Sequence, residues 1–233
     1  MRHSKTFIIS IFIILSLFIA QASYSAGEGP KGGTAPTGEA KQDNDMRDLL
    51  LQLEKQVSDF QSLKTDFTQT KNLAVFRNRI IMKGRIYLQK PGTVAWHVDE
   101  PLKYSVLITD KLIRQWDEDA DQVQEIPLSK NPMFRVVIDQ LTAWFSGRYV
   151  QLLDEYTVSA KKTQPLQIEF IPRDSSSVKK VIKAITITFR EDRKYLQKVQ
   201  FDEVSGDSTS IIFNNTEFNA PLKNSDFEVK RRV

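Results

Sequence analysis

The side chains best able to do chemistry are few and scattered. Behind an expected leader, His97 is the one histidine left, and no cysteine occurs anywhere. A single histidine beside a tryptophan in a strand-like run reads as a half-exposed sheet residue rather than a general base. Without a second histidine or a thiolate, the common zinc ligand sets cannot be assembled. Asp117, Glu118, Asp119 and Asp121 fall in an expected hairpin turn. They lack the glycine and distal glutamate of a calcium loop and read as a solvated turn. The serines of "SGDSTS" have no histidine to activate them, and neither a nucleophile elbow nor a glycine-rich phosphate loop occurs. Lys179, Lys180 and Lys183, and Lys230, Arg231 and Arg232, read as solvated ends of elements, with anionic headgroups or a partner protein as the alternative. These residues argue against an enzyme and call for no metal or cofactor.

The elements that carry them begin behind two segments outside the fold. Residues 1–22 run from "MRHSK" through an apolar stretch of about 14 residues to "AQA", the pattern of a secretory signal cut after Ala22 or Ser25. The apolar run falls short of the roughly 20 residues that span a bilayer. Arg2 and Lys5 leave with it, so 33 basic residues fall to 31 against 29 acidic ones and the net charge to +2. That balance gives no footing for a nucleic-acid partner. Residues 23–44 hold five of the nine glycines and no apolar periodicity, which predicts a disordered tether. A single domain is then expected over 45–233, in an exported, periplasmic protein.

Within that domain, Met46, Leu49, Leu50, Leu53, Val57 and Phe60 recur at helical spacing. The period then drops to two in segments near 65–75, 79–89, 93–98, 104–109, 112–117 and 122–127, separated by short turns such as "KPG" and "EDAD". This is the pattern of an antiparallel meander. A second helix is predicted over "NPMFRVVIDQLTAWFSG", with Asn131 as cap, Pro132 in the first turn and Gly147 at the end. Strands resume near 155–161, 166–171, 184–190, 195–203 and 208–215, with a further one expected at 226–229. Along "GRIYLQK" one face carries Gly84, Ile86, Leu88 and Lys90; along "TVAWHV" one face carries Val94, Trp96 and Val98. By pattern alone, such faces under helices read as a filled core before they read as a ligand cavity.

The succession "SDFQSLKTDFTQT", "KGRIYLQKPGTVAWHVDEP", "YSVLITDKLIRQWD", "NPMF" and "DSTSIIFNNTEFNAPLKNSDFEV" resembles the bacterial periplasmic lipoprotein carriers called LolA, in order, from about Leu50 to Val229. The resemblance implies a mainly β fold with some α: an unclosed antiparallel β-barrel of about 11 strands covered by a helical lid. It implies a monomeric carrier that shields acyl chains of a lipoprotein or another acylated lipid, taken from an inner-membrane exporter and passed to an outer-membrane acceptor. A sensor or interaction module of the same fold is the alternative.

On that resemblance the trough is assigned to Ile86, Leu88, Val94, Trp96 and Val98 of the sheet, and to Met133, Phe134, Val137, Leu141 and Trp144 of the lid. The family position before the corner proline is an arginine that holds the lid through backbone carbonyls. Here it is Lys90, which keeps the charge but lacks the planar fork, so a weaker or differently arranged closure is expected. The corner at Lys90 is expected at the mouth of the trough. The chain also stops at "FEVKRRV", short of the further strand usual in the family. In this it is similar to relatives that accompany lipid or polyene-lipid export, so a glycolipid or polyene-lipid cargo is a second expectation.

Overall fold

The computed structural model describes residues 37–58, 60–75, 79–130 and 143–230. The signal and most of the tether lie outside them. Helix α1 (Thr37–Ser58) begins eight residues before the expected start at Asp45, inside the segment read as a tether. Its Leu50, Leu53 and Val57 are buried, at the spacing that puts one stripe against the core.

Eleven strands follow: β1 (Ser62–Asn72), β2 (Arg79–Gln89), β3 (Thr93–Glu100), β4 (Tyr104–Ile108), β5 (Leu112–Asp117), β6 (Val123–Pro127), β7 (Tyr156–Thr163), β8 (Leu166–Pro172), β9 (Ile182–Phe189), β10 (Leu196–Glu203) and β11 (Ser208–Phe218). They form one antiparallel sheet in the order β6-β5-β4-β3-β2-β1-β11-β10-β9-β8-β7. Each strand lies beside its sequence neighbour, with two exceptions. The long β1 and β11 pair at the centre, and β6 and β7 stand at opposite edges. The barrel is therefore open. Its edges are of the kind that resist pairing: β6 is short and ends in Pro127, and β7 carries Lys161 and Lys162 exposed.

The expected strand at 226–229 is instead a 3-10 turn, Asn224–Phe227, closed by the Asp226 carboxylate accepting from the Lys223 amide at 2.8 Å. That turn lies on the outer face of the sheet. His97 is buried there rather than half-exposed: Nε2 donates to the Asp226 carbonyl at 2.8 Å, which leaves Nδ1 to accept from the Ser105 hydroxyl at 2.8 Å. The same strap ends in a Lys230–Asp121 ion pair, and Asp121 also accepts from the Trp116 indole at 3.0 Å. The "EDAD" acids thus act as turn and strap contacts, with Asp117 accepting from the Ala120 amide and Glu118 from that of Lys103.

One close approach fixes the register at the end of β3. Strand β2 shifts register between Lys83 and Gly84, and a Cβ on Gly84 would stand 1.8 Å from the His97 carbonyl oxygen. Only glycine fits without moving one strand off the other. Gly84→Ala is expected to lower stability by about 2–3 kcal/mol through this overlap, read as a lower urea midpoint at unchanged slope.

Candidate functional site

The inner face of the sheet can be read as rows running across the strands. One row joins Leu88, Val94, Ile108 and Ile113; the next joins Ile86, Trp96, Val106 and Gln115; a third joins Gly84, Val98, Tyr104 and Asp117. Strand geometry separates successive rows by about 6.6 Å. Ile86, Leu88, Val94, Trp96 and Val98 therefore share a face, all buried, with neighbours on adjacent strands in register.

The lid assignments divide. Met133, Phe134, Val137 and Leu141 lie outside the described residues. Trp144 is buried, but its ring packs on Tyr156 and Phe170 of β7 and β8, far across the sheet from Trp96. Phe145 is the residue that meets Trp96, with ring centroids 5.9 Å apart, and it also touches Phe213 at 5.8 Å; Phe67 of β1 completes the cluster 4.8 Å from Trp96. Sequence patterning placed Phe145 on the apolar face but did not single it out. Phe67 and Phe213 fall in the expected strands 65–75 and 208–215, for which the sequence named no face.

The end of this covering segment is locked down. Residues 143–146 are helical, Gly147 follows with φ +78°, and the Arg148 amide donates to the Ala143 carbonyl at 2.9 Å. This six-to-one bond with glycine in the left-handed region is a Schellman stop. Gly147 sits so close to Val57 that an added Cβ would lie 2.4 Å from that side chain. Glu54 of α1 accepts from the Val150 amide at 2.7 Å, which ties the residues after the covering segment to α1.

Lys90 acts on this pair from the sheet corner. Its ammonium donates to the Val57 carbonyl at 3.3 Å, in the last turn of α1, and stands 4.1 Å over the centroid of the Phe60 ring. A cation at a helix C-terminus meets carbonyls that have no partner within the helix. Through Val57, which faces Gly147, the lysine supports the end of the cover.

A cavity of about 150 Å³ lies at the end of β3 opposite the Lys90 corner, floored by Met82, Val98 and Tyr104 and rimmed by Leu102, Asp117 and Asp119. Burial, and secondarily Asp117, push the Tyr104 phenol above its ordinary value, so it stays a neutral hydroxyl near neutral pH. Not all of the inner face is apolar. On β1, Thr65, Gln69 and Lys71 point inward, and Lys71 pairs with Glu203 at 3.3 Å, both ends buried.

The described residues form an unclosed sheet whose aromatic inner face is met by Phe145. Comparison with known families decides where the chain belongs. The family described as "Outer membrane lipoprotein carrier protein LolA" matches residues 58–230. The chain belongs to this LolA family. Among relatives, an outer-membrane lipoprotein carrier protein of Coxiella burnetii is 25% identical over 191 residues, spanning 78% of this chain and 83% of its own. One from Chromohalobacter salexigens is 24% identical over 145 residues, spanning 62% and 65%. Among solved structures, a LolA superfamily protein from Nitrosomonas europaea aligns with a TM-score of 0.40 at 9% identity, over 78% of this chain and 97% of that one. For this member of the LolA family, Lys90→Met is expected to lower stability by about 1 kcal/mol by removing the Val57 bond and the Phe60 contact, while Lys90→Arg retains both. Urea unfolding of the two variants side by side checks it.

Proposed function

We propose that this protein is a periplasmic carrier that shields the acyl chains of a lipoprotein or another acylated lipid on its way to the outer membrane. The observation that carries the reading is the inner face built from Leu88, Val94, Trp96 and Val98, covered by Phe145 and reached through the cavity at Val98 and Tyr104. The export signal read in residues 1–22 and the family membership support it. Among the described residues, no helix is long and apolar enough to cross a membrane.

The energetics require such a device. A sixteen-carbon acyl chain gains on the order of 12 kcal/mol by leaving water, so free diffusion through an aqueous compartment is strongly disfavoured. A carrier has to bury the chain and still release it. Phe145 over Trp96 provides a cover that gives way: the two rings fill the inner face when cargo is absent and separate when it enters. The lid is the segment from residue 131 to Gly147, with Met133, Phe134, Val137 and Leu141 as its proposed cargo contacts and Lys90 holding its closed position through α1. The donor is an inner-membrane exporter, the acceptor lies in the outer membrane, and the carrier works as a monomer.

The mature protein, isolated from its own envelope fraction, is expected to retain acylated lipid detectable by mass spectrometry and to take up a fluorescent acyl probe. Val98→Glu, at the cavity wall, is expected to cut probe uptake at least tenfold with an unchanged far-ultraviolet circular dichroism spectrum. Absence of both bound lipid and probe uptake in the native protein would remove the carrier reading.

A further inference from the structure

The inner face carries an unusual pair of polar groups. Trp96 is 3% exposed and Gln115 2% exposed, and the indole Nε1 of one and the amide Nε2 of the other are buried without a hydrogen-bond partner. Both belong to the same cross-strand row: Trp96 faces Val106 on β4, and Val106 faces Gln115 on β5. An unpaired buried donor is destabilising, so packing alone would favour phenylalanine and leucine at these two positions. The row adjoins the cavity, because Val98, Tyr104 and Asp117, two residues further along the same three strands, line its wall. Two other unpaired donors, Trp144 Nε1 and Tyr149 Oη, lie elsewhere, where Trp144 packs on β7 and β8 and Tyr149 on Phe189 of β9.

We infer that Trp96 and Gln115 form a hydrogen-bonding subsite for the acyl carbonyl oxygens of the cargo. The two side chains offer donors and therefore select acceptors, and the carbonyl is the one strong acceptor that every ester- or amide-linked acyl chain carries. The order along the strands matches the order of groups along such a lipid. The polar rim at Asp117 and Asp119 faces the headgroup, the Trp96–Gln115 row takes the carbonyls about 6.6 Å deeper, and the Leu88–Val94–Ile108 row beyond receives hydrocarbon. The inference rests on the carrier reading and sharpens it: the site distinguishes an acyl lipid from an alkane or ether lipid of equal hydrophobicity, a distinction an apolar trough alone cannot make.

The test uses the mature protein loaded with a pyrene-labelled alkane, which is displaced by 1,2-dioleoylglycerol or by its 1,2-dioleyl ether analogue. The native protein is expected to prefer the ester about tenfold, the sum of two modest neutral hydrogen bonds. Gln115→Leu, close in volume, is expected to reduce the preference with ether binding unchanged and thermal stability equal or higher. Adding Trp96→Phe is expected to abolish the preference. Equal binding of ester and ether by the native protein, or a preference that survives in Gln115→Leu and in the double variant, would overturn the subsite while leaving the carrier intact. Uptake of neither lipid nor alkane would overturn both.

Discussion

The gap between β6 and β7 governs the rest of the molecule. These strands are consecutive in the chain yet stand at opposite edges of an eleven-stranded sheet, so the segment that joins them crosses from one edge to the other, and its described end, from Ala143, packs on the inner face. A closed barrel would pack its own interior and need no cover. An open one exposes half its apolar face unless something lies over it, and here the crossing segment does so, bringing Phe145 onto Trp96 and Phe213, and Trp144 onto Phe170. The described end of this segment adds no strand to the sheet; it meets the inner face through ring contacts and through the Tyr195 hydroxyl, which donates to the Phe145 carbonyl at 3.3 Å. On the proposed carrier reading, this interior has to be satisfactory both with cargo and without it.

That double requirement explains where the fixed points sit. The end of the crossing segment is pinned by the Schellman stop at Gly147, by Val57 against that glycine and by Glu54 on the Val150 amide, while Lys90 holds α1 from the sheet. On the outer face, the strap at residues 224–230 holds β3 and β5 through His97 and Asp121. Both sets of contacts fasten the frame around the trough and leave its contents replaceable. His97 is thus a buckle of the outer face, with both ring nitrogens occupied.

Much of this was legible in the sequence for a physical reason: alternation is enforced wherever one face of a strand is buried. The boundaries of β2, β5 and β8 emerge almost residue for residue from the alternating runs, and period two puts Ile86 with Leu88 and Val94 with Trp96 and Val98, while the register of β2 on β3 joins the two sets into one face. What period two cannot supply is which strands become edges, since β6 and β7 differ from their neighbours only in length and in Pro127 and the exposed lysines. It also cannot supply contacts across the sheet. Trp144 and Phe145 are adjacent on one helical turn, yet they point to different halves of the inner face. The tether gave way to helix from Thr37 because composition measures the absence of a core, and a helix can extend past its packed part. The terminal run at 226–229 looked like a strand, but the Asp226 carboxylate capping Lys223 turned it into a 3-10 strap. The inward Lys71–Glu203 pair was invisible, because a charge at a core position reads as surface until its partner, 132 residues away, is placed beside it.

The central claim is that acyl chains lie against the inner face rather than on the outside of the sheet. Tryptophan fluorescence can report this directly, because the chain has three tryptophans and Trp116 alone belongs to the outer strap region. In a Trp116→Phe background the two indoles left both pack on the inner face, Trp96 from the sheet and Trp144 from the covering segment, and bromine atoms carried midway along an acyl chain quench an indole only at contact. The measurement is the quenching of this variant by a phospholipid brominated on its acyl chains, against the same lipid without bromine. The account predicts strong, saturable quenching that the unbrominated lipid reverses by competition. Emission that is identical with the two lipids at saturating concentration would contradict it.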